Sequence, residues 1–310
     1  VDRWHWLRRI LSLDPERDHQ EIYRISAGFE FPWDYQRALE FALYKTYCVP
    51  SISALLVATG EFEHRPQKRY DDTALLMAEL AEHGYDSPRG KESLRVVNRM
   101  HGQYRISNED MLYVLSTFIY EPIGWLHRYG WRRLTEHERL AAFHFYREVG
   151  RRMGIQDIPS GYAEFRRWAR DFERDTFRFT EDNRRIGIYT LDLMCSWYPA
   201  PLRPAVRRAV TALLEPRMIT AFGFTPEPAR VTALARAGLR ARSEFVRLLP
   251  PRRASRMANE PRNPSYPGYP TGYTPADLGA GGPPQGIDPA WLRESRSVER
   301  ESRSVERESR

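Results

Sequence analysis

A chain of 310 residues, 41% hydrophobic and 29% charged, is long enough for one large domain or two small ones with a real core. Its formal charge of +7 permits contact with anionic lipid or nucleic acid without arguing for either, and no stretch approaches the ~18 consecutive apolar residues of a membrane span. Cys48 and Cys195 are too few and too far apart for a disulfide framework or a sulfur-ligated metal, and no long apolar run follows Arg8 and Arg9, so neither an oxidising compartment nor a signal peptide is expected.

Residues 1–20 form a short charged segment in which Trp4, Trp6 and Leu7 are expected to pack as an amphipathic turn on the body. Residues 21–250 carry the helical pattern. A helix is expected from Asp34 to Tyr47, with Ala38, Leu39, Ala42, Leu43 and Tyr47 near helical spacing, and Pro50 either ends it or starts the next segment. Ile52 to Ala58 is short and apolar, open between strand and helix, and its neighbours favour helix. The stretch GEFEHRPQKRYDD (60–72) reads as a charged connector, after which Thr73 opens a helix to about His83 with Gly84 as its C-cap. A helix over Glu92–Tyr104 follows. The next runs from Ser107 or Asn108 to about Tyr129, with Ser107 and Asp110 at capping-box spacing and Pro122 as a kink. Thr135 and Glu138 repeat that spacing before an amphipathic helix to Gly150.

A helix from Ser160 or Gly161 sets Phe165, Trp168 and Phe172 on one side, and residues 186–196, 203–217 and 227–247 read as three more. No period-two alternation flanked by turn signals occurs between 34 and 247, so the expected class is all-α, a single helical domain of about eight or more helices. Residues 251–290 are dense in proline and glycine and are expected to be extended, with Tyr266, Tyr269 and Tyr273 as pins to the body. The unit RESRSVE occurs at 293–299 and again at 300–306. One valine in seven cannot build a coiled-coil seam, so 291–310 are expected to be disordered.

Within this plan one stretch carries chemistry. Arg95, Asn98, His101 and Arg105 are spaced by three, three and four residues and share one helical face, with Arg99 off it. A hydrogen-bonded structural histidine among solvent-facing arginines is the plain explanation. The sharper one is a cofactor, because neutral imidazole ligates iron through one ring nitrogen while arginines one turn away meet haem propionates. No GxGxxG, Walker lysine loop, HExxH or GxSxG occurs, so nucleotide, protease and hydrolase readings have no motif to stand on.

The succession KRYDDT (68–73), NRMH (98–101), ISNEDMLYVLSTF (106–118), MGIQDIP (153–159), YAEFRRW (162–168) and YPGY (266–269) resembles the MpaB-type oxygenases. These were long catalogued as a domain of unknown function and are related to the latex-clearing rubber oxygenases. The resemblance spans roughly residues 20–275. It implies an all-helical protein with haem b whose iron sits on His101, with Arg105 four residues later matching an arginine of the family. The family's arginine three residues before the ligand is replaced by Asn98, and Arg95 and Arg99 are the cations left to meet a propionate. Arg69 and Thr73 match a characteristic arginine and threonine four apart, which makes them the candidate catalytic pair. A lysine that caps the iron in the rubber enzymes is replaced by Asp72. Glu61 and Glu63 lie upstream as candidates for a distal base, with nothing to choose between them.

The reading is a haem-dependent oxygenase that takes dioxygen and an apolar, isoprenoid or lipid-like substrate and cleaves a carbon–carbon double bond. Peripheral contact with a membrane is compatible with it, a cytoplasmic location is expected, and nucleic acid is not an expected partner. Two other classes stay open: a haem-binding sensor without turnover, and a haem-free helical protein that binds lipid through its arginine-rich face.

Overall fold

Helices account for the body of the chain. In the computed structural model, which describes residues 2–257, 269 and 272–279, fourteen α-helices follow one another and no strand occurs among the described residues. They are α1 (His5–Leu11), α2 (His19–Ile25), α3 (Pro32–Thr46), α4 (Pro50–Thr59), α5 (Glu61–His64), α6 (Pro66–His83) and α7 (Pro88–His101). The rest are α8 (Asn108–Tyr129), α9 (Glu136–Arg152), α10 (Tyr162–Thr176), α11 (Glu181–Ser196), α12 (Arg203–Leu213), α13 (Pro216–Phe222) and α14 (Ala229–Leu248). The all-α expectation holds. The expected disorder of 291–310 and the position of Tyr266 fall outside the described residues.

Local chemistry sets most boundaries. Ser107 Oγ accepts from the Asp110 N–H at 3.0 Å and starts α8. Thr135 and Glu138 form a complete capping box at the start of α9, with the Glu138 carboxylate accepting from the Thr135 N–H at 2.8 Å. Ile52–Ala58 resolves as helix inside α4, which ends at Gly60 in the left-handed region (φ +68°), where glycine is free of strain.

Several boundaries differ from the sequence expectation. The charged run before Thr73 is not a connector: α6 begins at Pro66, whose fixed φ suits a first helical position, and Lys68–Asp72 and Gln67–Asp71 contacts brace its opening turns. Thr73 therefore sits inside a helix and caps nothing. The single helix expected over 203–217 is divided into α12 and α13, because Pro216 forces the preceding Glu215 into extended backbone (ψ 151°).

The long helix α8 packs along α3, and α9 packs on both α8 and α2. Their interface is aromatic. Tyr23 stacks on Phe145 at 4.4 Å and Phe118 on Tyr146 at 5.5 Å, and the buried Tyr23 and Tyr146 hydroxyls satisfy each other at 2.7 Å. A second apolar cluster joins α3 to α11 and α13 around Tyr44, Ile186, Met194 and Phe222. The N-terminal segment packs on this body, with Trp6 4.3 Å from Phe29 and Ile10 fully buried.

The corner between α6 and α7 is tight. A Cβ on Gly90 would lie 2.0 Å from the carbonyl oxygen of Gly84, so only glycine lets the two chains approach this closely. Across their outer side lies a C-terminal strap. Tyr269 donates to Asp72 at 2.5 Å, Tyr273 donates to Glu79 at 2.7 Å, and Leu278 is buried against Leu75, Leu76, Val96 and Val97. Two of the three tyrosines thus pin the strap as the sequence suggested.

No single helix among the described residues is long and apolar enough to cross a membrane. Together α3 and α4 reach that length and composition, but they meet at 98°, and α3 supplies core residues such as Tyr35, Ala38 and Tyr44.

Candidate functional site

Because α6 begins early, Arg69 and Thr73 are one helical turn apart on the same face, and the Arg69 guanidinium donates to the Thr73 hydroxyl. Both line a cleft closed by Glu40 of α3, Tyr47 just past its end, Phe62 of α5 and Met194 of α11. The walls are mostly apolar, with Arg69 as the cation among them. His101, the last residue of α7, does not line this cleft but is close enough to Arg69 to feel its charge.

His101 is held as a neutral base. Burial is the main cause and the Arg69 charge adds to it, and together they push the imidazole down to about pKa 4. Its Nδ1 is buried and engages no hydrogen-bond partner. A buried polar atom left unpaired costs free energy, so this nitrogen lacks the partner that a structural histidine would be expected to have. Asn98, three residues before it, donates to the Arg152 carbonyl at 3.0 Å.

The other residues singled out by the sequence go elsewhere. Arg95 is exposed and pairs with Glu92 at 2.6 Å, and Arg99 faces solvent, because α7 packs through Ser93, Leu94, Val96 and Val97. Arg105 lies on the outside of the chain beyond the helix: α7 stops at His101, where the Gln103 and Tyr104 amides close tighter turns on Met100 and His101. The stripe of four is thus broken at His101. Glu61 pairs with Arg65 and Glu63 with Arg185, while Asp72 turns to Lys68 and the strap.

Sequence reasoning missed Glu40. Its carboxyl accepts from Arg37 at 2.5 Å and from the Tyr70 hydroxyl, and it is 6% exposed at the cleft wall. Burial raises its pKa from 4.5 to about 7 against the opposing pull of Arg37 and Tyr70. A single acidic residue in an amphipathic helix gives no sign of this, since the shift comes from what α6 places over it.

The sign of the linkage follows. A carboxyl with a raised folded pKa stabilises fully below about pH 4.5 and loses that contribution as pH climbs to about 7. The wild-type unfolding free energy is therefore expected to fall by on the order of 3 kcal/mol across that window through this group. Glu40→Gln is expected to flatten the slope in urea titrations at pH 5 and pH 7.5, whatever its effect at either pH alone. Equal slopes in both proteins would count against a buried, raised carboxyl.

The donor chemistry suits a haem: a half-buried neutral imidazole with an unpartnered ring nitrogen, and near it a cation, Arg69, able to meet a propionate. Among the described residues no three His, Cys, Asp or Glu side chains converge to hold a metal, so iron here would take its remaining donors from a macrocycle. The cleft is narrow. About 40 Å³ of it admits the centre of a water molecule, room for about three waters, so a haem enters only if its walls part.

Comparison with known proteins agrees with the motif order. The profile described as the catalytic domain of ER-bound oxygenase mpaB/B' and rubber oxygenase matches residues 41–243. The chain is 34% identical over 168 residues to ER-bound oxygenase mpaB of Penicillium roqueforti, covering 51% of this chain and 56% of that protein. It is 31% identical over 229 residues to mpaB of Penicillium brevicompactum, covering 67% and 58%, and 28% identical over 256 residues to mpaB' of the same organism, covering 76% and 60%. The matched part is thus a little over half the length of each relative.

Proposed function

This chain belongs to the family of mpaB-type and rubber oxygenase catalytic domains, and from that premise we propose that it is a haem b-dependent oxygenase for an apolar, isoprenoid or lipid-like substrate. The observation that carries the reading is the unpartnered, buried Nδ1 of a neutral His101 beside the Arg69–Thr73 pair. When bound, haem b supplies the one-electron and dioxygen chemistry.

The chain's own residues supply the rest. His101 holds the cofactor on the end of a rigid helix, and its depressed pKa keeps protons from competing for the nitrogen at neutral pH. Arg69 offers a fixed positive charge to a propionate, and Thr73, already bonded to it, holds it in place. Tyr47, Phe62 and Met194 exclude water and give an apolar substrate its surface. Glu40 stores a proton near neutral pH at the same wall. Cleavage of a carbon–carbon double bond is the reaction proposed, with dioxygen as co-substrate.

An oxygen-electrode assay tests this on haem-loaded protein supplied with a short polyprenyl substrate and, separately, with its fully saturated counterpart. Oxygen uptake that depends on the unsaturated compound, with carbonyl products, is expected. A haem-loaded protein that consumes no oxygen with any polyprenyl would remove the oxygenase reading and leave a haem-binding role.

A further inference from the structure

Helix α14 has two apolar faces, and the oxygenase reading uses neither. Its inner face seats Leu239 and the buried Val246 on the body, against α12 and α8. Its outer face repeats apolar residues at intervals of three and four: Leu234, Ala237, Ala241, Phe245 and Leu248. Leu234 is 75% exposed, Phe245 63% and Leu248 82%, so three large apolar side chains stand almost wholly in water along one helix. Isolated exposed leucines need no explanation. A continuous stripe of them does.

Charge narrows the choice of partner. Helix α14 holds five arginines against one glutamate and α12, packed beside it, holds three; Arg242 and Arg247 pair with Asp34 and Glu244, and Arg207 and Arg208 with Asp192 and Glu227. Arg230, Arg236 and Arg240 form no ion pair among the described residues, and Arg240 and Arg247 flank the stripe where long side chains can lie along an apolar surface with their charges held outward. A second copy of the chain would bring these cations against themselves. Nucleic acid would find leucine and phenylalanine where it needs polar contacts. An apolar stripe bordered by arginine matches the interface of an anionic lipid leaflet, acyl chains below and phosphates above.

We propose that the outer face of α14, with the arginines of α12 beside it, docks this protein on an anionic membrane surface as a peripheral contact, without any helix crossing the bilayer. The inference is independent of haem. It would also bring an apolar substrate within reach, since such molecules partition into lipid.

The test is co-sedimentation of the full chain with vesicles of phosphatidylcholine alone and of phosphatidylcholine with phosphatidylserine. Binding to the serine-containing vesicles is expected, weakened by high salt, and about fivefold weaker for each of Arg236→Glu and Arg240→Glu. A Phe245→Ser, Leu248→Ser protein should lose most of the binding while keeping the wild-type circular dichroism melt, because both side chains face solvent. Arg151→Glu, on α9, should bind as wild type does. Equal binding of all variants, or no binding to anionic vesicles, would overturn the proposal. So would a dimer in solution that the Phe245→Ser, Leu248→Ser change dissociates, which would assign the face to a second copy.

Discussion

Arg132→Leu is expected to lower the unfolding free energy by about 3–5 kcal/mol near neutral pH, the largest stability effect of any single change considered. Arg132 is a buried cation between two carboxylates whose side chains are fully buried, those of Glu30 and Glu138, each at 2.8 Å. Its guanidinium also lies 4.8 Å from the Phe31 ring. Burial pushes the Glu30 carboxyl up in pKa, and Arg132 is the chief influence that restrains it. Glu138 meanwhile closes the α9 capping box and accepts from Ser26 at 2.9 Å, so one residue ties α2, the turn before α9 and α9 itself together.

Leucine fills the space and takes Arg132's charge from both carboxylates, leaving Glu30 only Arg3 at 3.4 Å. They must then stay charged in an apolar interior or take up protons. In the variant the Glu30 carboxyl, already pushed up by burial, loses its chief restraint, so the deficit is smallest at low pH, where that carboxyl is protonated, and grows as pH rises. Urea unfolding at pH 4.5 and pH 7.5 reads this directly. A deficit that does not depend on pH would mean that packing, and not charge, is what Arg132 provides.

Much of the fold was legible because its signals are local. Ser107 and Thr135 announced their helices through the residue three positions on, and the proline-rich strap showed the tyrosines that fasten it. The errors have local causes as well. The run from Pro66 to Asp72 looked like a connector because it is charged, although its i,i+4 pairs suit a helix. The break at Glu215 was hidden within a helical period and needed the restriction that Pro216 places on its neighbour.

The site was legible only in part. His101, Arg69 and Thr73 could be named from spacing and resemblance, and the fold brings Arg69 and Thr73 into one cleft with His101 near enough to feel the Arg69 charge. Arg95 and Arg99 could not be sorted from them, because which face of α7 meets the body is decided by helices distant in sequence. Glu40, Tyr47, Phe62 and Met194 come from α3 and the residue just past its end, α5 and α11, and no window of the sequence holds them together.

The second large effect is on the cofactor. His101→Ala is expected to weaken haem binding by more than ~100-fold, since the loss of a mere supporting partner of a metal ligand already costs about 10–100-fold. The change should spare the fold, because Nδ1 makes no hydrogen bond whose partner would be stranded and the side chain is only partly enclosed. That asymmetry separates a ligand from a structural histidine, whose removal would cost stability first.

The visible spectrum of the protein, purified after expression with haem precursor beside the His101→Ala protein, is the measurement to make. A Soret band in the wild type that is lost in the variant, with equal thermal unfolding of the two haem-free chains, is the expected result. The same band at full intensity in both proteins would contradict His101 as the ligand. No band in either, even after reconstitution with haem, would contradict the haem centre itself.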